Sequence, residues 1–502
     1  MAEVDVNTAV DFSDVQGLLR FGYKHHAEGA FALLRVRNRA AARAWLAAAP
    51  VGTAAKGPLP PTVLQLAFSA EGLRELGVPQ QVTAAFAPEF VAGLGTDANR
   101  ARRLGDIGNN DPARWQWGGP SAAQVPHVLA MVYALPGRLD DHVRDLEIHW
   151  GVAFEPMRWL PTTDMGGVEP FGFTDGISQP EIDWTRAIAA EDKDRLAYGN
   201  LACLGEFLLG YPNEYGRYTQ RPLLEPVGAA AAHLPRAEDA PERADLGRNG
   251  SYLVLRTLRQ DVPAFWRFLD AQARGDAAER QRIAEAMVGR RMDGQPLVAP
   301  AASAIAGVGA DAAARARNGF TFDDDGVGLR CPVGAHIRRA NPRNADLPAG
   351  THGLLGRAVR MLGFDAAALH GDAVASVRFH RVLRRGREYG QRLSPTQALT
   401  ATPLAETGLQ FVCLCADLAR QFEFVQGAWI AGTKFAGLPH EGDPLLGNRR
   451  AAPDESDTAR FTMPRAGCPN RVIEGLPTFV DVVGGAYFFL PGIRALRYLV
   501  TT

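Results

Sequence analysis

The segment GFTDGISQP, residues 172–180, places one acid, Asp175, between two glycines and ends on a proline. An aspartate in this position either bonds its own backbone in a turn or presents a carboxylate for general acid–base chemistry. Asp-Gly is a strong turn signal, so the segment taken alone favours the turn. A catalytic role requires partners elsewhere in the chain.

A second segment, CPVGAHIRRANPR, places a single histidine, His336, among small residues and follows it with three arginines. Small neighbours leave room for a flat ligand, and arginines bind carboxylates in a bidentate manner. A haem meets both conditions, with the imidazole on iron and arginines on the propionates. A core or capping histidine with solvated arginines is the alternative. Cys331 is a rival thiolate ligand, but the glycine- and alanine-flanked His336 fits the segment better.

A third segment, RFHRVLRRGREYG, reads as a strand that delivers a cationic side chain, Arg384, at its end. The following glycine allows a tight backbone turn. A basic exposed hairpin is the alternative. His380 falls on the same strand face as Arg384 only if the strand is regular, and it receives no role.

Together these three segments resemble the dye-decolorizing peroxidase family. The family's acid motif is present as Gly172 to Gly176 around Asp175, its histidine segment as AHIRRANPR, and its arginine segment as VLRRGREYG. LQLAFSAEGLRELGVP, GEFLLGYPNEYG, FVCLCADLARQFEFVQGAW and GGAYFFLPGIRAL also look like family segments in the family's order. The resemblance therefore spans nearly the whole chain. The extended region around GYPNEYG favours the longer bacterial group.

The resemblance implies a haem b peroxidase that reduces hydrogen peroxide, forms a ferryl intermediate and oxidises an organic donor such as a dye or a phenol. His336 would bind the iron. Asp175 would act as acid and base, and Arg384 would stabilise charge. The remaining residues implied at the cofactor site are Arg343 and Arg338 on the propionates and Gly172 and Gly176 in the acid motif. Solvated surface arginines are the alternative for the first pair.

A carboxylate that supports the iron-bound histidine is also implied, since such histidines usually donate their second N–H to an acceptor. Asp417 is the first candidate and Glu423 the reserve, with a helix-start acid as the alternative for both. Tyr389 is a candidate for carrying electrons to bulky donors, with core packing as its alternative. Glu388 stands where the family often has proline, which leaves the path of this loop open.

The elements that must position these residues follow an α+β rhythm. Strand patterns in FALLRVRN, TVLQLAFS and HVLAMVYAL alternate with helical ones, which is typical of a split βαβ unit. The resemblance implies two ferredoxin-like units with antiparallel sheets and flanking helices, and a haem cavity mainly in the C-terminal unit. We expect an N-terminal unit over residues 1–185, a loop and helix elaboration over 186–328, and a C-terminal haem-binding unit over 329–502.

The composition limits the partners. The chain of 502 residues has 54 basic and 55 acidic side chains, so it has no strong field for nucleic acid or an acidic membrane. No apolar run is long enough for a membrane helix, and no secretory signal is evident, which predicts a cytoplasmic protein. The five cysteines lack the spacing of a zinc site or a disulfide framework. A homo-oligomer stays open.

Two other functions stay open. A haem-binding or iron-releasing protein would share His336 and the arginines but would need no proton relay. An α+β interaction protein would use the same motifs only as turns and would be colourless when purified.

Overall fold

The computed structural model describes residues 10–188, 199–298, 318–343, 377–402, 406–449 and 458–501. Most of the strands within these residues join one antiparallel sheet of nine strands, and the others form two-stranded pairs. The strands are β1 (Glu28–Val36), β2 (Thr62–Phe68), β3 (Val128–Ala134), β4 (Phe154–Pro161), β5 (Glu181–Ile182), β6 (Leu201–Ala202), β7 (Leu223–Leu224), β8 (Ala244–Asp245), β9 (Ser251–Gln260), β10 (Leu383–Arg384), β11 (Arg387–Tyr389), β12 (Gly408–Cys415), β13 (Arg460–Met463), β14 (Arg471–Glu474) and β15 (Val480–Leu490).

Helices cover the sheet and connect its strands. The α-helices of the described residues are α1 (Arg39–Ala48), α2 (Ala70–Glu75), α3 (Gln80–Thr83), α4 (Pro88–Ala92), α5 (Ala98–Leu104), α6 (Leu139–Trp150), α7 (Ala229–Ala232), α8 (Val262–Ala273), α9 (Ala277–Val288), α10 (His336–Ala340), α11 (Pro395–Thr400) and α12 (Ile493–Thr501). Two π-helical segments, Leu418–Glu423 and Val425–Ile430, follow β12. No helix of the described residues combines the length and the apolar character needed to cross a membrane.

The first unit runs β1, α1, β2, β3, α6, β4, and its strands lie in the order β4-β1-β3-β2. β3 is buried at every residue because it lies between β1 and β2. Asn38 caps α1 by accepting a hydrogen bond from the Ala41 amide, which explains why the helix begins directly after β1. The order is that of a ferredoxin-like unit, as predicted.

The second unit repeats this arrangement. Its strands β9, β10 with β11, β12 and β15 lie in the order β10-β12-β9-β15, and β11 also pairs with β12. β9 lies inside the segment 186–328, which was expected to be an elaboration around the core. The sheet of the second unit therefore draws its central strand from that segment as well as from residues 329–502.

The two units join edge to edge. β15 pairs with β2 at Phe489 and Phe68, so one sheet crosses both halves. Phe86 packs on Phe489 with ring centroids 4.8 Å apart and also contacts Tyr252 of β9. The core is consequently continuous across the seam.

Among the described residues, the helical part of the segment 186–328 consists mainly of two consecutive helices, α8 and α9. Arg274 and Gly275 both have positive φ, and Asp276 then caps α9 by accepting from the Ala278 and Glu279 amides. Phe265 and Leu269 of α8 are buried. Ile283 and Met287 of α9 are buried as well.

The cysteines are all free, and Cys413 and Cys415 are buried on one face of β12. Burial raises the pKa of Cys331 to about 12. That thiol is therefore a neutral core side chain.

Candidate active site

A cavity of about 300 Å³ lies between the sheet of the second unit and the segments that cover it. Most of its lining is apolar and comes from β9, β12, β15, α9 and the two π-helical segments. Polar side chains gather at a few places on this lining. Asp175, Arg384 and His336, predicted from three separate segments, all line it.

Asp175 lies at the end of a tight hairpin, residues 167–175. The hairpin is closed by a bridge between Val168 and Thr174 and by a hydrogen bond from the Asp175 amide to the Gly167 carbonyl. Thr174 is held in addition by the Met292 carbonyl, which accepts from both its amide and its hydroxyl at 3.0 Å. The backbone that carries the carboxylate is thus fixed from both sides.

Gly172 and Gly176 shape this hairpin. Their φ values are +101° and +73°, in the region that residues other than glycine rarely adopt. A Cβ at position 172 would lie 3.0 Å from the Met292 methyl group. Neither glycine is among the described residues that line the cavity, so their part is in the turn.

Arg384 lies at the end of the short edge strand β10, where it pairs with Cys413 of β12. Gln179 holds its backbone at two points, accepting from the Arg384 amide at 3.0 Å and donating to its carbonyl at 3.2 Å. Its guanidinium donates to Asp175 Oδ1 at 2.9 Å and to the Ser178 carbonyl at 3.2 Å. We call Asp175, Ser178, Gln179 and Arg384 the acid wall.

The Asp175 carboxylate lies inside the protein at the edge of the cavity, and burial by itself would raise its pKa. Arg384 opposes that effect most strongly, with help from the Gly176 amide, which donates at 2.6 Å, and from His336. The net result is a pKa below the ordinary value. Asp175 is therefore ionised at neutral pH and can accept a proton.

His336 is the first residue of α10, directly after the small residues Gly334 and Ala335. Its Nδ1 lies 2.9 Å from Oδ2 of Asp443. The other oxygen of Asp443 accepts from the amides of Leu445 and Leu446, each at 2.9 Å. With Nδ1 bonded to a fixed carboxylate, Nε2 is the ring nitrogen left for a ligand. We call His336 and Asp443 the histidine wall.

The electrostatics of this pair follow from its contacts. Burial lowers the pKa of His336, but Asp443 outweighs burial and the net pKa is raised. Burial raises the pKa of Asp443, but His336, Arg339 and the Leu446 amide outweigh it and the net pKa is lowered. Asp443 is therefore a carboxylate that accepts the Nδ1 proton.

The prediction that Asp417 or Glu423 supports His336 is wrong. Asp417 caps the π-helical segment by accepting from the Arg420 amide, and its second oxygen faces the Arg420 side chain at 3.6 Å. Glu423 is bound to Arg100 at 2.7 Å and accepts from the Tyr487 hydroxyl at 2.9 Å. Asp417 thus serves its own segment, whereas Glu423 ties that segment to α5 and β15.

The two arginines predicted to bind the haem propionates differ in their position relative to the cavity. Arg343 lines the cavity; its guanidinium lies 3.8 Å from the Phe320 ring and 3.4 Å from the Ser178 hydroxyl. Arg338 does not appear among the described lining residues, because its guanidinium is turned to Asp325 and to the Cys331 carbonyl. The prediction for Arg338 is wrong on this geometry.

Three other residues considered in the sequence analysis are also located by the structure. Tyr389 is buried, with its hydroxyl 3.5 Å from the Leu258 carbonyl, so its packing alternative applies. His380 lines the cavity and stacks on Phe424 at 3.7 Å. Cys331 is buried beside the Gly289 carbonyl and is not among the described lining residues.

Three residues of the site were missed from sequence. Asp443 precedes Pro444 and reads as a turn acid, and it is 107 residues from its histidine. Glu169 lies six residues before Asp175 in the same hairpin, and Gln260 ends β9. An acid just ahead of the GFTDG segment was a usable signal for Glu169, whereas nothing in the spacing indicated the other two.

The donor set specifies the kind of cofactor that fits. No group of three or more His, Cys, Asp or Glu side chains that could hold a metal ion occurs among the described residues. A metal at His336 must therefore bring most of its own ligands. A flat, largely apolar macrocycle whose metal has one position left for a protein ligand would fit the single imidazole and the apolar lining of the cavity. Arg343 provides a cation for the carboxylates of such a group.

Curated proteins of similar sequence are peroxidases. The chain is 28% identical to the multifunctional dye peroxidase DyP2 of an Amycolatopsis species, over 87% of this chain and 82% of that protein. It is 26% identical to the dye-decolorizing peroxidase AauDyP1 of Auricularia auricula-judae, over 97% of this chain and 87% of that protein. No protein-family model matches the sequence.

Solved structures show the same fold. A fungal DyP-type peroxidase from Auricularia auricula-judae superposes with a TM-score of 0.71 at 24% identity, covering 99% of this chain and all of that one. A dye-decolorizing peroxidase in complex with 2,6-dimethoxyphenol superposes with a TM-score of 0.69 at 21% identity, covering 98% of this chain and all of that one. The relatives come from a bacterium and from fungi, so the longer bacterial group stays a prediction.

Proposed function

Since this chain belongs to the dye-decolorizing peroxidase family, we propose that it reduces hydrogen peroxide with Asp175 as acid and base, and that it oxidises phenols or dyes in return. The observation that carries the proposal is the Asp175–Arg384 ion pair in the same cavity as the His336–Asp443 pair. A peroxidase needs both pairs, because one holds the cofactor and the other handles the peroxide.

Haem b is the cofactor that the family implies, and the residues present fit it. His336 would bind its iron through Nε2, and Arg343 would face its propionates. Asp443 would keep the Nδ1 proton on the side away from the iron and make the imidazole a stronger donor. When bound, the haem group as a whole, iron and macrocycle together, would supply the electrons for peroxide reduction and would recover them from the organic donor.

Asp175 moves the proton. Ionised at neutral pH, it would accept the proton from one oxygen of hydrogen peroxide and return it to the other oxygen, which leaves as water. The fixed hairpin matters here because a carboxylate misplaced by about 1 Å costs roughly 100-fold in rate. Its accessible surface faces the cavity, where the peroxide would lie.

Arg384 supplies charge and not a proton. Its guanidinium stays protonated at working pH, so it would stabilise negative charge that develops on the leaving oxygen. Gln179 and Ser178 hold it in place before the substrate arrives. Such preorganised donors act most strongly in a cavity shielded from bulk water.

A haem-binding or iron-releasing protein is the second candidate, and it would use the histidine wall alone. The acid wall favours the peroxidase, because a storage or release site has no use for an ionised carboxylate fixed beside an arginine. The phenol bound by one structural relative agrees with a small phenolic donor for this chain.

An absorbance experiment on Asp175→Asn tests the proposal. We expect the variant to bind haem like the wild type and to react with hydrogen peroxide on the order of 100- to 10,000-fold more slowly, since a general acid–base group is lost. Glu181→Gln, which removes an exposed acid six residues along the chain, is the matched control and should react at the wild-type rate. A wild-type protein without a haem band, or an Asp175→Asn variant at the wild-type rate, would overturn the proposal.

A further inference from the structure

The Glu169 carboxylate accepts hydrogen bonds from the backbone inside the 167–175 hairpin. Its Oε1 accepts from the Phe173 amide and its Oε2 from the Phe171 amide, each at 3.0 Å. The backbone adds two bonds around the same loop, from the Glu169 amide to the Phe173 carbonyl and from the Gly172 amide to the Glu169 carbonyl. One carboxylate thus satisfies two amides of a loop whose other end is Asp175.

Gln260 ties this carboxylate to the sheet. It is the last residue of β9, it is 6% exposed, and its Nε2 donates to Glu169 Oε2 at 2.9 Å. Its Oε1 is buried and has no hydrogen-bond partner within the described residues. With its amide turned, Gln260 could therefore accept a hydrogen bond from the O–H of a neutral Glu169, so the pair can satisfy both protonation states of the acid.

The charge environment of Glu169 differs from that of Asp175. Burial, aided by the charge of Asp175, raises the pKa of Glu169 to about 7 against the lowering effect of Gln260 and the two amides. The other charged or titratable side chains that line the same cavity are Arg290, His336, Arg343, His380, Arg381 and Arg384. None of these six is among the groups that shift Glu169 most.

We propose that Glu169 is a positioning residue for Asp175, which holds the hairpin in the shape that aims the Asp175 carboxylate into the cavity. The inference rests on the proposed peroxidase function and adds to it a residue outside the acid motif. Glutamine at this position would offer one acceptor oxygen where the carboxylate offers two. It would also turn an amide N–H toward a backbone N–H, so the loop would lose at least one bond.

The first test compares Glu169→Gln with the wild type as holoenzymes. We expect the variant to take up haem with the wild-type spectrum and to react with peroxide roughly 10- to 100-fold more slowly, since the hairpin no longer fixes Asp175. Asp164→Asn removes an exposed carboxylate that caps a turn just ahead of the hairpin, and it should keep the wild-type rate. A Glu169→Gln enzyme with the wild-type peroxide rate would overturn the inference.

Thermal unfolding across pH gives a readout other than activity. A carboxyl whose pKa is raised in the folded protein stabilises it below the unfolded-state pKa, and this contribution is lost as pH rises through the folded-state pKa. The pKa of Glu169 is 4.5 in the unfolded chain and about 7 in the folded protein. Between these two pH values, the unfolding midpoint of the wild type should therefore fall more than that of Glu169→Gln. Parallel pH profiles for the two proteins would count against a buried, titrating Glu169.

Gln260→Leu keeps the test valid if Glu169→Gln does not fold. It removes the donor that lowers the Glu169 pKa and leaves the hairpin amides in place. We expect a smaller loss of peroxide rate, about 3- to 10-fold, and a thermal profile whose inflection moves to higher pH. An unchanged rate with an unmoved inflection would overturn the inference.

Asp175→Asn separates this inference from the function on which it rests. If Asp175→Asn reacts at the wild-type rate, the proposed function fails. If Asp175→Asn is slow and Glu169→Gln is not, the function stands and only the role of Glu169 fails.

Discussion

The two walls of the cavity each depend on one aspartate, but they use it differently. Asp443 of the histidine wall has no accessible surface, and its oxygens are bonded to His336 and to two backbone amides. The Asp175 side chain of the acid wall is 35% accessible, with that surface toward the cavity. A carboxylate enclosed on all sides can only orient its neighbour, whereas one that borders empty space can meet a substrate.

The partner of each carboxylate reinforces this difference. An imidazole can give up its proton to become a ligand, and Asp443 fixes which nitrogen keeps it. A guanidinium cannot, so in the proposed mechanism Arg384 would leave proton transfer to Asp175. The comparison predicts that damage to the histidine wall affects cofactor binding, and damage to the acid wall affects the peroxide reaction.

His336→Ala should have the largest effect. The histidine wall would lose the nitrogen proposed to bind the iron, and we expect a protein purified without haem or with haem lacking normal axial ligation. Haem content and the absorbance spectrum measure this. His25→Ala, an exposed histidine of the first unit, is the control and should keep the wild-type spectrum. Normal haem-iron ligation in His336→Ala would contradict the assignment of cofactor binding to the histidine wall.

Arg384→Leu should spare the cofactor and slow the chemistry. Removal of one preorganised charge-stabilising donor costs on the order of 100- to 1000-fold in rate. Stopped-flow mixing with peroxide would measure this loss, together with haem content as the check on folding. A variant that loses haem and retains its rate per haem would reverse the roles assigned to the two walls.

Asp443→Asn should reduce haem affinity or the peroxide rate by about 10- to 100-fold, the usual cost of losing a hydrogen-bonded partner of a metal-binding histidine. Asp417→Ala is the matched comparison, because it removes the acid first expected in this role. It should cost about 1 kcal/mol of stability as a lost helix cap and leave the haem spectrum unchanged. Equal spectral changes in the two variants would contradict the placement of Asp443.

The smallest effect is a shift in pH dependence. The pKa of Asp175 lies below its ordinary value of 3.8, so its ionised form and its stabilising contribution persist above that value and are lost only at lower pH. In Arg384→Leu the largest lowering influence disappears while burial still raises the pKa. The acid limb of the residual peroxide rate should therefore move to higher pH. A limb at the wild-type position would indicate that another group titrates there.

Local sequence patterns predict much of the fold. The apolar runs of β1, β2 and β3 and the cap at Asn38 are properties of neighbouring residues, and so the first unit follows from its sequence. The use of β9 as a central strand of the second unit does not follow, because its pairing with β12 joins segments far apart in the sequence and depends on tertiary contacts. That Cys415 pairs with Tyr252 could not be read from either segment alone.

The candidate site shows the same division. Asp175, His336 and Arg384 stand out by their immediate neighbours, and the structure brings them to one cavity. Asp417 was expected beside His336, but an acid ahead of a helix is first of all a cap, and that is the position it holds. Asp443 and Gln260 contribute through contacts between distant segments, which no local pattern encodes.

The pairing of Asp175 with Arg384 spans 209 residues of chain, and that of His336 with Asp443 spans 107. Contacts of such sequence separation form late, because closing long loops costs entropy before the contact repays it. A refolding chain would therefore regain its secondary structure well before it regains turnover. Enzymatic activity would report the final formation of these two contacts, and its lag would measure how slowly the distant segments meet.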